Sequence, residues 1–276
     1  MKTLHRSGAR AGFPAAFFLG VLLLSSCATV PAVPPGARSE LAPAGTLRAA
    51  INFGNPVLAQ KDPATGEARG VSVDLARELG RRLGVPVTLV TYSAAGKVFE
   101  ALKAGAWDVA FLAIDPARAA EIAFTAPYVV IEGTYIVPAD SPLKAVGDVD
   151  RPGVRIAVGR NSAYDLYLTR TLKHAQLVRV PTSPGAVEVF LRDGLEAAAG
   201  IKQPLLQFAK THPGVRVMEG RFMAIEQAMG MPRGREAGLR YLREFVEEMK
   251  ASGFVARGLE RSGQGDATVA PPAPVR

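Results

Sequence analysis

The sequence predicts an α/β protein made of two α/β lobes joined by two hinge strands. Three observations carry this prediction. Short apolar runs alternate with amphipathic stretches from residue 46 onward, the order strand–helix–strand–helix–strand occurs twice, and a long apolar extended segment follows each unit. Strands that alternate with helices pair in parallel through right-handed crossovers. One continuous doubly wound domain is the alternative that this pattern allows.

The first unit combines three predicted strands with two helices. Its strands are predicted at 47–53, 85–91 and 107–114, and its helices at 71–84 and 97–105. In the first helix, apolar side chains recur every fourth residue from Val71 to Leu83, and Gly84 ends the pattern. Such spacing places one apolar face against a sheet.

The second unit repeats this order. Its strands are predicted at 154–158, 176–180 and 196–201, its helices at 162–173 and 184–192, and a long helix follows at 235–252. The extended segments 129–142 and 221–234 are predicted to cross between the lobes. Because two crossings return the chain to its first lobe, we expect lobe 1 to comprise residues 46–138 and 222–261, and lobe 2 residues 139–221.

Residues 1–26 are predicted to be a signal peptide. Three basic residues precede an apolar run at 13–24 that is too short to span a membrane. The sequence Leu-Ser-Ser-Cys that ends at Cys27 resembles the lipobox of bacterial lipoproteins. The resemblance implies a diacylglycerol on Cys27 and a periplasmic protein anchored to the outer or inner membrane. A plain signal peptide with an unmodified cysteine is the alternative.

The composition of the two chain ends and the distribution of charge allow further predictions. Residues 27–45 and 262–276 are rich in Pro, Ala and Gly, which predicts a flexible tether and a disordered tail. The signal peptide contributes three of the eight net positive charges, and the other basic residues are scattered. This argues against a nucleic-acid surface. Because the three histidines are dispersed, neither a metal site nor a cofactor is expected.

Five segments in order resemble the family 3 extracellular solute-binding proteins. They are GEARGVSVDLARELGRRLGVPVTLV, FEALKAGAWDVAF, PARAAEIAFTAPYVV, GVRIAVGRNSAYDLYL and YLREFVEEMKASGFVARGLE. The resemblance runs from about residue 47 to 261. It implies a two-lobed periplasmic-binding-protein fold of type II, a small polar solute held in the cleft, and docking on an ABC permease of the inner membrane. We expect a monomer without enzymatic activity.

The resemblance places a ligand carboxylate on Arg118, whose planar guanidinium matches two oxygens. Asp115 and Pro116 suit the start of the short helix that carries this arginine. A solvated ion pair between Arg118 and Asp115 is the alternative. In the second lobe, further contacts would come from a helix start, either as ligand donors or as an ordinary N-cap: Asn161, Ser162, Ala163 and Tyr164.

One departure from the family concerns the ligand class. At the position where the family carries an aspartate that accepts the ligand ammonium, this chain has Lys202, followed by Gln203. A lysine ammonium cannot accept a hydrogen bond from the ligand ammonium. A carboxylate or other anion is therefore favoured over an ordinary α-amino acid. A solvated lysine at a helix start is the alternative. The remaining candidates for the cleft are Asn52, Phe53, Asn55 and Tyr92, with Glu226 and Gln227 near its floor.

We therefore expect the lipid-anchored substrate-binding component of an ABC importer, with a carboxylate-bearing ligand. Two alternatives use the same scaffold. One is a periplasmic enzyme resembling the cyclohexadienyl dehydratases, with Lys202 and Glu226 as an acid/base pair. The other is a periplasmic sensor subunit.

Overall fold

The computed structural model describes residues 1–3 and 33–274. Cys27 and nearly all of the predicted signal peptide lie outside these residues. The helices are α1 (Pro35–Leu41), α2 (Val71–Leu83), α3 (Ala95–Glu100), α4 (Pro116–Ala119), α5 (Ala163–Thr171), α6 (Ser183–Arg192), α7 (Lys202–Thr211), α8 (Glu236–Ala251) and α9 (Phe254–Arg261), and a 3₁₀ turn lies at Val146–Asp148.

The strands form one large sheet and a small hairpin. They are β1 (Leu47–Asn52), β2 (Gln60–Lys61), β3 (Ala68–Arg69), β4 (Val87–Tyr92), β5 (Val109–Ala113), β6 (Ile122–Pro138), β7 (Arg155–Gly159), β8 (Gln176–Val180), β9 (Ala197–Ile201), β10 (Val215–Val217), β11 (Met223–Pro232) and β12 (Thr268–Val269). Every predicted element is present. The largest difference is the extended segment predicted at 129–142, which begins at Ile122 and ends at Pro138, and the helix predicted at 97–105 ends at Glu100.

The large sheet has the strand order β4-β1-β5-β11-β6-β9-β7-β8, with β10 and β12 also paired to β6. Strand β1 is parallel to β4 and β5, and β7 is parallel to β8 and β9, as predicted for two α/β units. The first set, with α2 to α4, α8 and α9, is called lobe 1 below. The second, with α5 to α7, is called lobe 2.

The two crossing segments lie side by side in the middle of the sheet. Strand β6 is 17 residues long and pairs antiparallel with β11 from Ile122 to Gly133. Strand β11 also pairs with β5 of lobe 1, and β6 pairs with β9 of lobe 2. Hydrogen bonding is therefore continuous from one lobe to the other through these two strands.

Apolar side chains fill both faces of the sheet. In lobe 1, the side of the sheet under α3 holds a cluster that includes Val98, Trp107 and Leu112, and the Trp107 indole donates to the carbonyl of Val98 at 2.9 Å. Helices on two faces leave the carboxyl ends of the parallel strands free. In open α/β sheets these ends form the crevice in which ligands bind. Here β1, β5, β7 and β9 end toward the cleft between the lobes.

The predicted tether is wrong for its described part, because residues 35–41 form helix α1. Ala37 and Leu41 are fully buried, and α1 packs on α8. The Glu40 carboxylate accepts from the Gly238 amide at 2.7 Å, which satisfies a free N–H in the first turn of α8. The Pro- and Ala-rich composition concealed this apolar face.

The predicted disordered tail also differs from the structure up to residue 274. Strand β12 pairs antiparallel with β6 at Val129 and Val130. Ala267 and Ala270 are buried, and the ammonium of Lys250 donates to the carbonyl of Pro271 at 2.8 Å. A two-residue strand is too short to give a periodic signal, so composition alone suggested disorder.

We predict that Leu41→Ala lowers the free energy of unfolding by about 2–5 kcal/mol, because it removes a fully buried side chain from the core. Urea denaturation of the purified protein measures this difference. Ser39→Ala, at an exposed position of the same helix, is the control and should change the value by about 0.5 kcal/mol or less. Equal stabilities for the two variants would mean that α1 does not pack on the domain.

Candidate functional site

Arg118 lies at the carboxyl end of β5. That strand ends at Ala113, and Asp115 then caps α4 by accepting from the Ala117 amide at 2.9 Å. Pro116 takes the first helical position, as its fixed backbone torsion favours. This tight turn folds the arginine side chain inward, where it is 1% exposed.

The Arg118 guanidinium joins the two lobes. Its Nη1 donates to the carbonyl of Ala113 at 3.0 Å in lobe 1, and its Nη2 donates to the carbonyl of Asn161 at 2.7 Å in lobe 2. Arg118 makes no ion pair with Asp115 at a solvated surface. Burial lowers the pKa of Arg118 to about 10, with a smaller opposing effect from the nearby Asp115 charge, so the guanidinium is cationic at neutral pH.

A small cavity adjoins this arginine. Its volume is about 30 Å³, space for about two water molecules. Six of the residues predicted from the sequence line it: Asn52, Asn55, Arg118, Ser162, Ala163 and Tyr164. Gln227 also lines the cavity, as predicted for the cleft floor. We call this space the polar cavity.

The polar cavity collects unsatisfied polar atoms. In the part of the chain that the structure describes, five buried side-chain polar atoms lack a hydrogen-bond partner, and three of these belong to the cavity wall: Arg118 Nε, Asn55 Oδ1 and the Tyr164 hydroxyl. Buried polar groups are normally paired, and each unpaired one costs about 1–3 kcal/mol. These atoms are therefore arranged for a polar molecule rather than for each other.

The second lobe presents helix starts to the cavity. Ser162 caps α5 by accepting from the Asp165 amide at 3.1 Å, so the N-cap interpretation of this residue holds while it also lines the cavity. The Tyr164 hydroxyl lies near Ser162 and Ser183, and burial raises its pKa. Ser183 is the first residue of α6 and lines the cavity. It is not among the site residues predicted from the sequence, because a serine in a Ser-Pro-Gly sequence indicates only the start of a helix.

The lobes touch across the cleft at three further points. Asp115 does not line the polar cavity; its second oxygen accepts from Arg170 of lobe 2 at 2.7 Å. The amide of Asn161 lies 3.5 Å from the Glu100 carboxylate. A Cβ on Gly96 would lie 2.8 Å from the Cβ of Asn161. Asp115 thus acts as a helix cap and an interlobe partner.

The structure does not bring Lys202 into the cavity. Its ammonium pairs with the Glu132 carboxylate on β6 at 2.8 Å. Because α7 begins at Lys202, the last residue of β9, Ile201, faces the cavity instead and is 8% exposed. The inference that Lys202 faces the ligand is therefore wrong, although the position still offers no acceptor for an ammonium.

The other predicted residues lie away from the cavity. Phe53 packs partly buried against the core, with the Lys61 ammonium 5.4 Å from its ring centre. Tyr92 packs against the lobe 1 cluster beneath α3. Gln203 borders a separate groove along α7, and Glu226 is exposed.

The described residues contain neither a metal-binding cluster nor a membrane-spanning helix. In residues 1–3 and 33–274, no three His, Cys, Asp or Glu side chains are grouped so that they could hold a metal ion. None of the described helices has both the length and the apolar character needed to cross a membrane.

Comparison with known proteins gives a consistent result. A family model for bacterial extracellular solute-binding proteins, family 3, matches residues 47–262. A mutant of ArgBP from T. maritima has a TM-score of 0.71 at 22% identity and covers 82% of this chain and 99% of its own. The solute receptor for L-cysteine of Neisseria gonorrhoeae has a TM-score of 0.71 at 21% identity, with 82% and 93% covered.

A third solved structure is the ancestral amino acid-binding protein AncCDT-1, a precursor of cyclohexadienyl dehydratase. Its TM-score is 0.68 at 23% identity, and it covers 81% of this chain and 97% of its own. At these identities the structural similarity establishes the fold, and the predicted two-lobed fold is confirmed.

We predict that Gly96→Ala separates the lobes without destabilising either one. The added methyl group would lie 2.8 Å from the Asn161 Cβ and 2.9 Å from the Arg160 carbonyl, whereas alanine is the better helix former. Hydrogen–deuterium exchange should become several-fold faster at the amides of residues 160–162, with an unchanged Tm. Gly147→Ala, whose methyl group meets nothing within 4 Å, is the control. Unchanged exchange in the Gly96 variant would mean that this contact does not hold the cleft together.

Proposed function

The chain belongs to the bacterial extracellular solute-binding proteins of family 3, and from this membership we propose that it captures a small carboxylate-bearing solute for an ABC permease. The solute would bind between the two lobes, in the polar cavity. The observation that carries the proposal is the group of three unpartnered buried polar atoms around this cavity, one of them on a buried guanidinium.

The buried charge favours an anion. Two carbonyls occupy two of the five N–H donors of Arg118, which leaves Nε and its neighbouring hydrogens for the two oxygens of a carboxylate. The start of α5 lies on the opposite wall, where a helix dipole also favours negative charge. Among the residues that the structure describes, neither an aspartate nor a glutamate lines the polar cavity.

The amino-acid receptors that share the fold suggest only part of the ligand expected here. Their similarity supports a ligand that carries a carboxylate. Among the described lining residues, however, an α-ammonium would meet only neutral acceptors, of which Asn55 Oδ1 and the Tyr164 hydroxyl have no partner. The proposal is therefore a carboxylate ligand whose affinity does not depend on an ammonium.

Interlobe contacts support capture by closure. The Arg118–Asn161 and Asp115–Arg170 hydrogen bonds each join lobe 1 to lobe 2, and only the adjacent strands β6 and β11 connect the lobes covalently. Two lobes joined in this way close around a ligand by bending at the connecting strands. Closure would exclude water and strengthen the charge-assisted hydrogen bonds.

The enzyme alternative lacks its proposed acid/base pair. Lys202 is paired with Glu132 and does not line the polar cavity, and Glu226 is exposed. The likeness to AncCDT-1 supports a shared fold only, at 23% identity. We therefore propose binding without catalysis.

We predict that Arg118→Gln weakens carboxylate binding by about 30-fold or more, since truncating one partner of a buried charge pair costs at least about 2 kcal/mol. Isothermal titration calorimetry with acetate, butanoate, hexanoate, succinate, alanine and arginine measures the affinities of the wild type and the variant.

Two further variants sharpen this experiment. Arg118→Lys retains the charge but loses the planar fork, and should also bind weakly. Arg151→Gln, which removes an exposed arginine paired with Asp148, should bind as the wild type does. The proposal fails if the wild type binds none of the six compounds, or if Arg118→Gln binds them unchanged.

We also propose that Cys27 carries the lipid anchor. Cys27→Ala should leave an uncleaved precursor that incorporates no labelled fatty acid, because the only thiol in the chain is absent. Metabolic labelling with palmitate and the mass of the product measure this. Ser26→Ala is the control and retains the thiol. Labelling that persists in Cys27→Ala would reject the lipobox.

A further inference from the structure

A second cavity lies beside the polar cavity. Its volume is about 190 Å³, and four residues form walls of both spaces: Gly54, Tyr164, Ser183 and Ile201. We call this second space the apolar pocket. A molecule held at Arg118 would therefore have the apolar pocket next to it, beyond the residues that line both spaces.

Helices α6 and α7 of lobe 2 build the apolar pocket. Val187 and Leu205 project from them and are 8% and 3% exposed, and Phe208 is partly buried beside them. Pro184, Pro204 and Pro56 complete the apolar wall. Within residues 33–274, Glu188 is the one charged residue that lines this pocket, and it is exposed.

The two adjacent spaces thus differ in polarity. A buried cation and unpartnered polar atoms stand at one end, an apolar pocket follows, and an exposed carboxylate lies at its edge. We propose that the ligand is a monocarboxylate with an apolar tail, which places its carboxylate on Arg118 and its tail between α6 and α7. This inference rests on the proposed function, whose binding site it extends.

Three features separate this ligand from its competitors. Ile201 stands at the end of β9, so an α-ammonium would be desolvated beside an apolar side chain. A second carboxylate on the tail would lose its hydration beside the apolar side chains of the pocket. A basic tail would gain little from Glu188, because an exposed carboxylate is screened by solvent, and its charge would have to pass the apolar wall.

The experiment is calorimetric titration of the purified protein with acetate, butanoate, hexanoate and octanoate. We expect affinity to rise about fourfold for each added methylene until the apolar pocket is full, which is the gain from burying one CH₂ group. 2-Aminohexanoate should bind at least about tenfold more weakly than hexanoate, because its ammonium has no acidic partner.

Two variants locate the tail. Val187→Phe fills the apolar pocket and should abolish the dependence on chain length while acetate binding is retained, and the retained acetate binding also shows that the variant is folded. Val187→Thr keeps the shape but adds a hydroxyl, so it should reduce the gain per methylene. Leu191→Phe, at a 44% exposed position of α6, is the matched control and should behave as the wild type does.

The outcomes distinguish the two proposals. If affinity does not depend on chain length while Arg118→Gln still abolishes acetate binding, the apolar-tail inference is overturned and the proposed function stands. Tighter binding of 2-aminohexanoate or arginine than of hexanoate, unaffected by Val187→Phe, overturns it in the same way. If the wild type binds no carboxylate at all, both proposals fail.

Discussion

The arrangement of the cleft depends on a guanidinium buried without a carboxylate partner. Arg118 is 1% exposed, and protein carbonyls from both lobes satisfy only part of its donors. Burying a cation in this way is costly unless a negative group comes to it. The neighbouring Asp115 is held away from this role, since one oxygen caps α4 and the other binds Arg170. The local chain geometry therefore keeps the cationic donors available for a ligand.

Three glycines allow the backbone segments that form the cleft to lie close together. A Cβ on Gly54 would lie 2.8 Å from the Ser93 carbonyl, and one on Gly159 would lie 2.8 Å from the Ser183 amide. Gly96 meets the Arg160 carbonyl in the same manner across the cleft. Because these positions carry no side chain, the walls can bring peptide groups and helix starts close to a small cavity. Residues with larger side chains would enlarge the separation of the strands' carboxyl ends.

The sequence was informative where local chemistry decides the structure, and less so where distant segments meet. The two α/β units, the crossing strands and the buried position of Arg118 follow from periodicity, caps and family resemblance. The Asp115–Arg170 contact joins residues far apart in the chain, so no local pattern predicts it. At the end of β9, Ile201 lines the cavity while Lys202 begins α7 and pairs with Glu132 on β6, a contact between distant segments that no local pattern predicts. Helix α1 and strand β12 were hidden by Pro- and Ala-rich composition.

The pairing of β12 with β6 also limits where the lobes can move relative to one another. Strand β12 holds β6 at Val129 and Val130, whereas β6 pairs with β9 of lobe 2 from Gly133 onward. The change of lobe is therefore confined to Ile131 and Glu132. Rotation of lobe 2 has to be taken up there and in the paired part of β11. Glu132 accepts from Lys202 and Arg221, both on the lobe 2 side of this junction. The charge of Lys202 is thus paired at the junction of the lobes, which leaves Arg118 as the cation of the proposed ligand site.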